Sequence, residues 1–238
     1  MILLFTDFGV TDPYIGQLHR EIIKCKADIP VVDLFHNVPA FNIKAAAYLL
    51  AVYCPPVLDS VYCCVVDPGV GGQRAAVAIE ISGCWYVGPD NGLFEILCRR
   101  YEARIQEITW RPETLSNSFH GRDLFAPVAA RLDAGKTVDS RPGRLHRFPD
   151  WPDELDEIVY VDHYGNLICG HRGDTIADEA NMKCASQTIA YARTFSDLAV
   201  GGLFWYRNAN GLVEIAANQR SAAELLGIGV GEAITVTN

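Results

Sequence analysis

Val61-Tyr62-Cys63-Cys64-Val65-Val66-Asp67-Pro68-Gly69-Val70-Gly71-Gly72-Gln73-Arg74 is the stretch that decides the fold. Its first six residues are continuously apolar and stop at a Pro-Gly turn, as a central parallel strand covered on both faces does. Asp67 then stands at the strand's carboxyl end. Open α/β sheets bind ligands in the crevice beyond those ends, which places a carboxylate there for a ligand. The competing reading is a turn aspartate capping its own loop.

Outward from this stretch, strand-like runs at 2–5, 31–35, 76–81 and 85–87 alternate with helical patterns at 14–26, 43–53, 93–101 and 123–134. The alternation predicts an α/β domain over residues 1–140, with a mostly parallel sheet and helices on both faces. Apolar periodicity stops between 137 and 152, where Pro142, Gly143, Pro149 and Pro152 punctuate a charged stretch; residues 141–154 read as a linker. Beyond it, short runs at 157–161, 188–192, 203–206, 212–216 and 233–236 are separated by turn signals. They predict a smaller antiparallel, β-barrel-like domain over 155–238, with one helix near 221–226.

Composition narrows the function. The 238 residues carry a net charge of -9 and half of them are apolar. An acidic chain offers no electrostatic footprint for nucleic acid, which leaves a small molecule or a protein as partner. The apolar opening Met1-Ile2-Leu3-Leu4-Phe5 lacks a basic flank and meets Asp7 at once, so it reads as a first buried strand and not as an export signal. No run approaches the roughly 18 apolar residues of a membrane span. The eight cysteines sit mostly inside apolar patterns, never as C-x-x-C, as thiols of a reducing cytoplasm do.

Four clusters carry possible chemistry. Asp7, in Thr6-Asp7-Phe8-Gly9, stands at another strand's carboxyl end, where a carboxylate can accept hydrogen bonds from both hydroxyls of a ribose; helix capping is the alternative, a job Asp12 can also do. Asp67 and Arg74 are joined by a glycine-rich turn able to fold the arginine back onto the carboxylate and keep it ionised. His120, in Phe119-His120-Gly121-Arg122-Asp123, is a titratable group at a helix entry, with Asp123 suited to the helix dipole. Asp162-His163-Tyr164-Gly165-Asn166 is a hairpin turn whose Asn166 can bond a heterocycle edge.

Together these segments resemble one family, the S-adenosylmethionine hydroxide adenosyltransferases, relatives of the fluorinating and chlorinating enzymes. The likeness covers nearly the whole chain. Besides the four clusters it is carried by Tyr14-Ile15-Gly16, His36-Asn37-Val38-Pro39 leading to Phe41, Gly88-Pro89-Asp90-Asn91-Gly92-Leu93, Leu124-Phe125-Ala126-Pro127 and Leu212-Val213-Glu214-Ile215-Ala216. The resemblance implies an α/β domain followed by a β-barrel-like one, and a homotrimer with its sites at subunit interfaces. It implies a water-activating set of Asp67, Arg74 and His120, and a ribose ligand at Asp7. It puts apolar walls at Phe41 and Phe119, the methionine ammonium at Asp162, the adenine at Asn166, and Asn218 in the segment closing over adenine. His19-Arg20, Ala209 and Arg220 depart from the family pattern, which leaves Asn208 and Asn210 both open as contacts of the methionine carboxylate.

The reaction so implied is cleavage of S-adenosyl-L-methionine to adenosine and L-methionine, with that compound as substrate and no cofactor. A carboxylate in the nucleophile pocket repels halide and orients water, which favours hydrolysis over halide-dependent transfer. Two other readings stay beside it: a metal-dependent hydrolase using Asp7, Asp67, His120 and Asp123, and a binding module without turnover.

Overall fold

The computed structural model describes residues 1–237. The chain divides into two compact units, one ending at Phe148 and the other beginning at Pro149. In the first unit the elements are β1 (Ile2–Thr6), α1 (Tyr14–Cys25), β2 (Val31–Phe35), α2 (Ile43–Tyr53), β3 (Val61–Val65), β4 (Ala76–Ile81), β5 (Cys84–Pro89), α3 (Leu97–Arg100), β6 (Arg104–Ile108), a π turn (Gly121–Phe125), α4 (Ala126–Asp133) and β7 (Ser140–Pro142). They build one sheet in the order β2-β1-β3-β5-β4-β6-β7. β2, β1, β3 and β5 pair in parallel, whereas β4, β6 and β7 attach antiparallel. The β4–β5 hairpin closes through Ser82 (φ 50°) and Gly83 (φ 78°), the two positive values that a tight hairpin turn matching strand twist requires.

Every residue of β3 is buried, as its unbroken apolar run requires. Val61, Cys63 and Val65 face one side with Ile2 and Leu4 of β1, against Leu18 and Ile22 of α1 and Val128 and Ala129 of α4. On the other side Tyr62 stacks on Tyr86 with centroids 4.9 Å apart, and their hydroxyls donate to Pro55 and Cys54 just past α2. Helices therefore cover both faces, and each large side chain so buried contributes about 1.5–3 kcal/mol. The eight cysteines are all free thiols, six of them buried; burial pushes the Cys63 thiol up to about 12, which makes it unreactive.

Three stretches of this unit differ from the sequence reading. In the pattern over 93–101 only Leu97–Arg100 forms a helix, because the preceding turn uses Gly92 at φ 107° and buries Glu95 between Arg99 and Arg147. The pattern over 123–134 opens with the π turn before α4 begins. β6 and β7 lack apolar alternation; cross-strand ion pairs, Arg104 to Glu80 and Arg141 to Glu107, line this edge of the sheet.

The second unit consists of β8 (Leu155–Val161), β9 (Leu167–Arg172), β10 (Asn181–Cys184), β11 (Gln187–Ile189), β12 (Leu203–Arg207), β13 (Leu212–Ala217), α5 (Ala222–Leu226) and β14 (Ile234–Thr237). Two antiparallel sheets, β12-β13-β9-β8 and β11-β10-β14, are linked by bridges Glu157–Ala233 and Tyr191–Trp205. Trp205 fills the core and donates its indole N–H to Ala180 at 2.8 Å, so its one polar atom is satisfied. Ser221 caps α5 by accepting from Glu224 N–H, and Gly227 ends it at φ 67°. β9 and β10 escape the sequence reading; β9 carries Gly170, where an added Cβ would lie 2.8 Å from that of Leu155. Among the described residues, no helix is long and apolar enough to cross a membrane.

Candidate active site

Asp67 follows the carboxyl end of β3, and Pro68 turns the chain away into a loop closed by Val70 N–H to the Asp67 carbonyl and Gly72 N–H to Gly69. Gly71, at φ 80°, lets the loop lie against the segment before His120; an added Cβ would stand 2.3 Å from the Asn117 carbonyl oxygen. The loop returns Arg74 to Asp67. Arg74 Nε donates to both carboxylate oxygens at 3.0 Å, its Nη2 also bonds Oδ2, and the same Nη2 donates to Nδ1 of His120 at 2.8 Å. The three side chains predicted to act together thus form one bonded cluster. The Asp67 and Arg74 side chains are only 4% and 11% exposed, so the ion pair is held away from bulk water. Arg74 also lies over the Phe125 ring, 5.2 Å from its centroid.

His120 immediately precedes the π turn, in which Ala126 N–H reaches back five residues to Gly121. Asp123, on that turn, accepts from Ser116 N–H and pairs with Arg122, which fixes the loop ahead of His120. Burial above all, and then the Arg74 charge, hold His120 below the usual imidazole value. An arginine can only donate, so Nδ1 accepts and the proton sits on Nε2.

Asp7 follows β1, beside β3. Its carboxylate accepts from Phe41 N–H at 3.1 Å and caps no helix; α1 starts at Tyr14 with Pro13 in the cap position, and no side chain caps it, Asp12 included. Burial raises the Asp7 carboxyl above its ordinary value, the Phe41 bond opposes this, and the Asp67 charge adds to the rise. Phe41 takes φ 62° and is 76% exposed. Phe119 packs edge-on to Phe8 and Tyr14, with Arg122 over its ring at 5.0 Å.

Asp162, Asn166 and Asn218 belong to the second unit. Asp162 Oδ1 accepts from Tyr164 and Asn166 N–H, and Oδ2 accepts from the Asn166 amide at 2.9 Å. Gly165 (φ 81°) allows this hairpin to touch Ser221, whose Oγ an added Cβ would meet at 2.1 Å. Asn166 and Asn218 line one cavity of about 590 Å³ together with Tyr164, Phe195, Gln219 and Arg220. Asn218 is steadied there by donating to the Leu198 carbonyl at 2.8 Å. Asn208, open as a carboxylate contact, spends its side chain on Asn210 N–H, Leu212 N–H and Glu214, while Asn210 is exposed.

Two features escape the sequence reading. Thr6 Oγ is hydrogen-bonded to His36 Nδ1 at 2.8 Å, and His36 Nε2 faces Asp33 at 3.1 Å. With Gly9 N–H donating to the His36 carbonyl, this chain ties the loop carrying Asp7 to the loop carrying Phe41. Phe195, on the cavity wall, opens a short 3₁₀ turn after a Thr194–Asp197 capping box, and Arg220, noted in the sequence only as a departure from the family pattern, lines the same wall. Among the described residues no group of three or more histidine, cysteine, aspartate or glutamate side chains is gathered as a metal cage, and the Asp7-Asp67-His120-Asp123 set is not such a group.

Known proteins share this fold along nearly the whole chain. Residues 2–141 match the model of the SAM hydroxide adenosyltransferase N-terminal domain and residues 156–235 that of its C-terminal domain. A protein named (R)-S-adenosyl-L-methionine hydrolase from Salinispora arenicola is 35% identical over 98% of this chain and 95% of its own length. The crystal structure of an uncharacterized conserved protein from Thermotoga maritima is similar with a TM-score of 0.88, at 27% identity over the whole of both chains. That of a conserved hypothetical protein from Thermus thermophilus has a TM-score of 0.77, at 32% identity over 99% of both. With both domain models matched in order and the fold shared throughout, the chain belongs to the SAM hydroxide adenosyltransferase family.

Proposed function

We propose that the chain hydrolyses S-adenosyl-L-methionine to adenosine and L-methionine, by in-line attack of one held water on the ribose C5′. The observation that carries this reading is the Arg74 guanidinium bonded at once to Asp67 and to His120 Nδ1. The relatives named as hydrolases of that compound support it. As the water oxygen bonds C5′, the C5′–S bond breaks and its electron pair goes to sulfur, which leaves as a neutral thioether. Positive charge on sulfur and negative charge on the carboxylate that takes the water proton vanish together, so a pocket shielded from water favours the step. Holding the water in line contributes up to roughly 7–11 kcal/mol.

The hydrogen bonds divide the labour. His120 has its Nδ1 occupied by Arg74 and presents Nε2–H, so it donates to the water oxygen and orients it. Asp67 is the remaining acceptor and takes the proton. Asp7 accepts from the two ribose hydroxyls, Phe41 and Phe119 form apolar walls, Asp162 holds the methionine ammonium, and Asn166 and Asn218 receive the adenine. The cavity lined by those two asparagines has room for a heterocycle. The reading includes a cytoplasmic homotrimer with sites at subunit interfaces and a reaction that needs no metal or cofactor.

Pure protein incubated with S-adenosyl-L-methionine, with and without chloride and with and without chelator, tests it. Adenosine is the expected product in every arm. The appearance of 5′-chloro-5′-deoxyadenosine in place of adenosine overturns the hydrolytic reading, tight binding with no product over hours makes the chain a binding module, and loss of activity in chelator restores a metal.

A further inference from the structure

The Gly88-Pro89-Asp90-Asn91-Gly92-Leu93 stretch has no part in the chemistry above, yet it meets both stems of the loop that does. β3 pairs with β1 as far as Val65 and with β5 only as far as Cys63, so neither ladder extends to Val66. Val66 is fully buried, and a buried carbonyl without a partner costs about 1–3 kcal/mol. Asn91 supplies the partner: its Nδ2 donates to the Val66 carbonyl at 2.9 Å, while its Oδ1 accepts from Leu93 N–H at 3.3 Å. Both bonds require this one orientation of the amide, since a flip would set oxygen against oxygen and N–H against N–H. Next to it, Asp90 N–H donates to the Ala75 carbonyl at 3.0 Å, and the Asp90 carboxylate accepts from His146 N–H at 3.0 and 3.1 Å. Gly88 permits the approach, because a Cβ there would lie 2.3 Å from the Cys64 carbonyl oxygen.

Val66 precedes Asp67 and Ala75 follows Arg74. Two successive residues after β5 therefore clamp the two ends of the segment that carries the carboxylate and the guanidinium. We infer that Asn91 is a positioning residue for hydrolysis, fixing through the Val66 carbonyl the direction in which Asp67 meets Arg74 and the water. Neither hydrogen bond of the Asn91 side chain goes to the three side chains of that cluster, so it acts on the placement of the nucleophile and not on substrate affinity. The inference rests on the hydrolase reading for its kinetic consequence, but its geometric part stands in the ligand-free protein.

The test uses Asn91→Ala, which removes both bonds, and Asn91→Asp, which keeps the Leu93 contact and loses the donor to Val66. Steady-state kinetics with S-adenosyl-L-methionine are measured beside the ¹⁵N–¹H resonance of Arg74 Nε in the ligand-free protein, assigned by its loss in Arg74→Lys. The expected result is a kcat lowered roughly 10–100-fold, as small misplacements of reacting groups produce, with KM within about twofold and a shifted Arg74 resonance. If the alanine variant does not fold, the isosteric aspartate variant decides. An unchanged kcat and resonance in a folded variant overturns the inference, as does loss of folded structure in both, which would make Asn91 a stability residue only. A wild-type protein that releases no adenosine, with variants that still shift the Arg74 resonance, sinks the hydrolase reading and leaves the clamp standing.

Discussion

Arg74 Nη2 lies 2.8 Å from His120 Nδ1, and because an arginine only donates, this single bond decides the tautomer of the imidazole. It also joins two segments 46 residues apart in the chain. Arg74→Lys keeps the positive charge but loses the planar fork that spans Asp67 and His120 together. A fall in kcat of about 10²–10⁴-fold is expected, with KM for S-adenosyl-L-methionine little changed; a lysine variant whose kcat matches that of the wild type would contradict the assigned geometry.

The pH dependence follows from the same bond. His120 must be neutral to accept from Arg74, and burial with the guanidinium charge holds its folded pKa below 6.5. Activity should therefore stay level as pH drops through 6.5 and decline only below it, when the ring takes a second proton and repels Arg74. Stability follows the same sign: a depressed pKa means that the unfolded chain binds the proton first, so this contribution is full above 6.5 and is lost as pH falls toward the folded value. His120→Ala should lower kcat with little change in KM and should abolish this acidic limb, read from kcat against pH.

Asp7→Asn tests the ribose contact. Replacing a charged acceptor of two hydroxyl donors removes about 1.5–3 kcal/mol per bond of this kind. KM is expected to rise at least about tenfold while kcat changes less, measured by initial rates. In the wild type, the raised Asp7 carboxyl predicts that KM increases on acidification at a pH above the ordinary carboxylate range.

Gly71→Ala addresses the loop itself. A methyl group there needs a left-handed backbone and meets the Asn117 carbonyl oxygen at 2.3 Å. A cost of about 1–3 kcal/mol for the backbone alone is expected, visible as a lower Tm, together with a loss of kcat.

His36→Ala removes the acceptor of the fully buried Thr6 O–H, whose oxygen itself accepts from Phe8 N–H. Leaving that group unsatisfied should destabilise the first unit by about 1–3 kcal/mol in denaturant unfolding. KM should rise as well, because the loops bearing Asp7 and Phe41 lose their common anchor.

Much of the first unit is legible in the sequence because its central strands are buried on both faces, as the unbroken run from Val61 to Val66 shows. β6 and β7 are not, since at the edge of the sheet Arg104–Glu80 and Arg141–Glu107 pairs stand where apolar alternation would mark an inner strand. The π turn over Gly121–Phe125 is equally silent: its residues suit an α-helix, and only the hydrogen-bond pattern distinguishes the two. Asp67, Arg74 and His120 can be picked out one by one as ionisable groups beside glycine-rich backbone, but the meeting with His120 depends on the β3–β4 loop lying beside the segment that follows β6. The Thr6-His36-Asp33 chain is a tertiary product of that kind, joining the ends of two neighbouring parallel strands, and no local spacing announces it.

The widened turn after His120 has a consequence for how the gene can change. A five-residue hydrogen-bond span closes its turn with one residue more than an α-helical turn uses, so the surplus is absorbed locally and the bearing of what lies upstream is kept. Loss of a single codon between Gly121 and Phe125 would narrow the turn to α-helical width and leave the imidazole on nearly the same bearing. The same loss in the regular helix that follows would rotate one end against the other by about 100°, so single-codon changes are open to this segment and closed to the helix behind it.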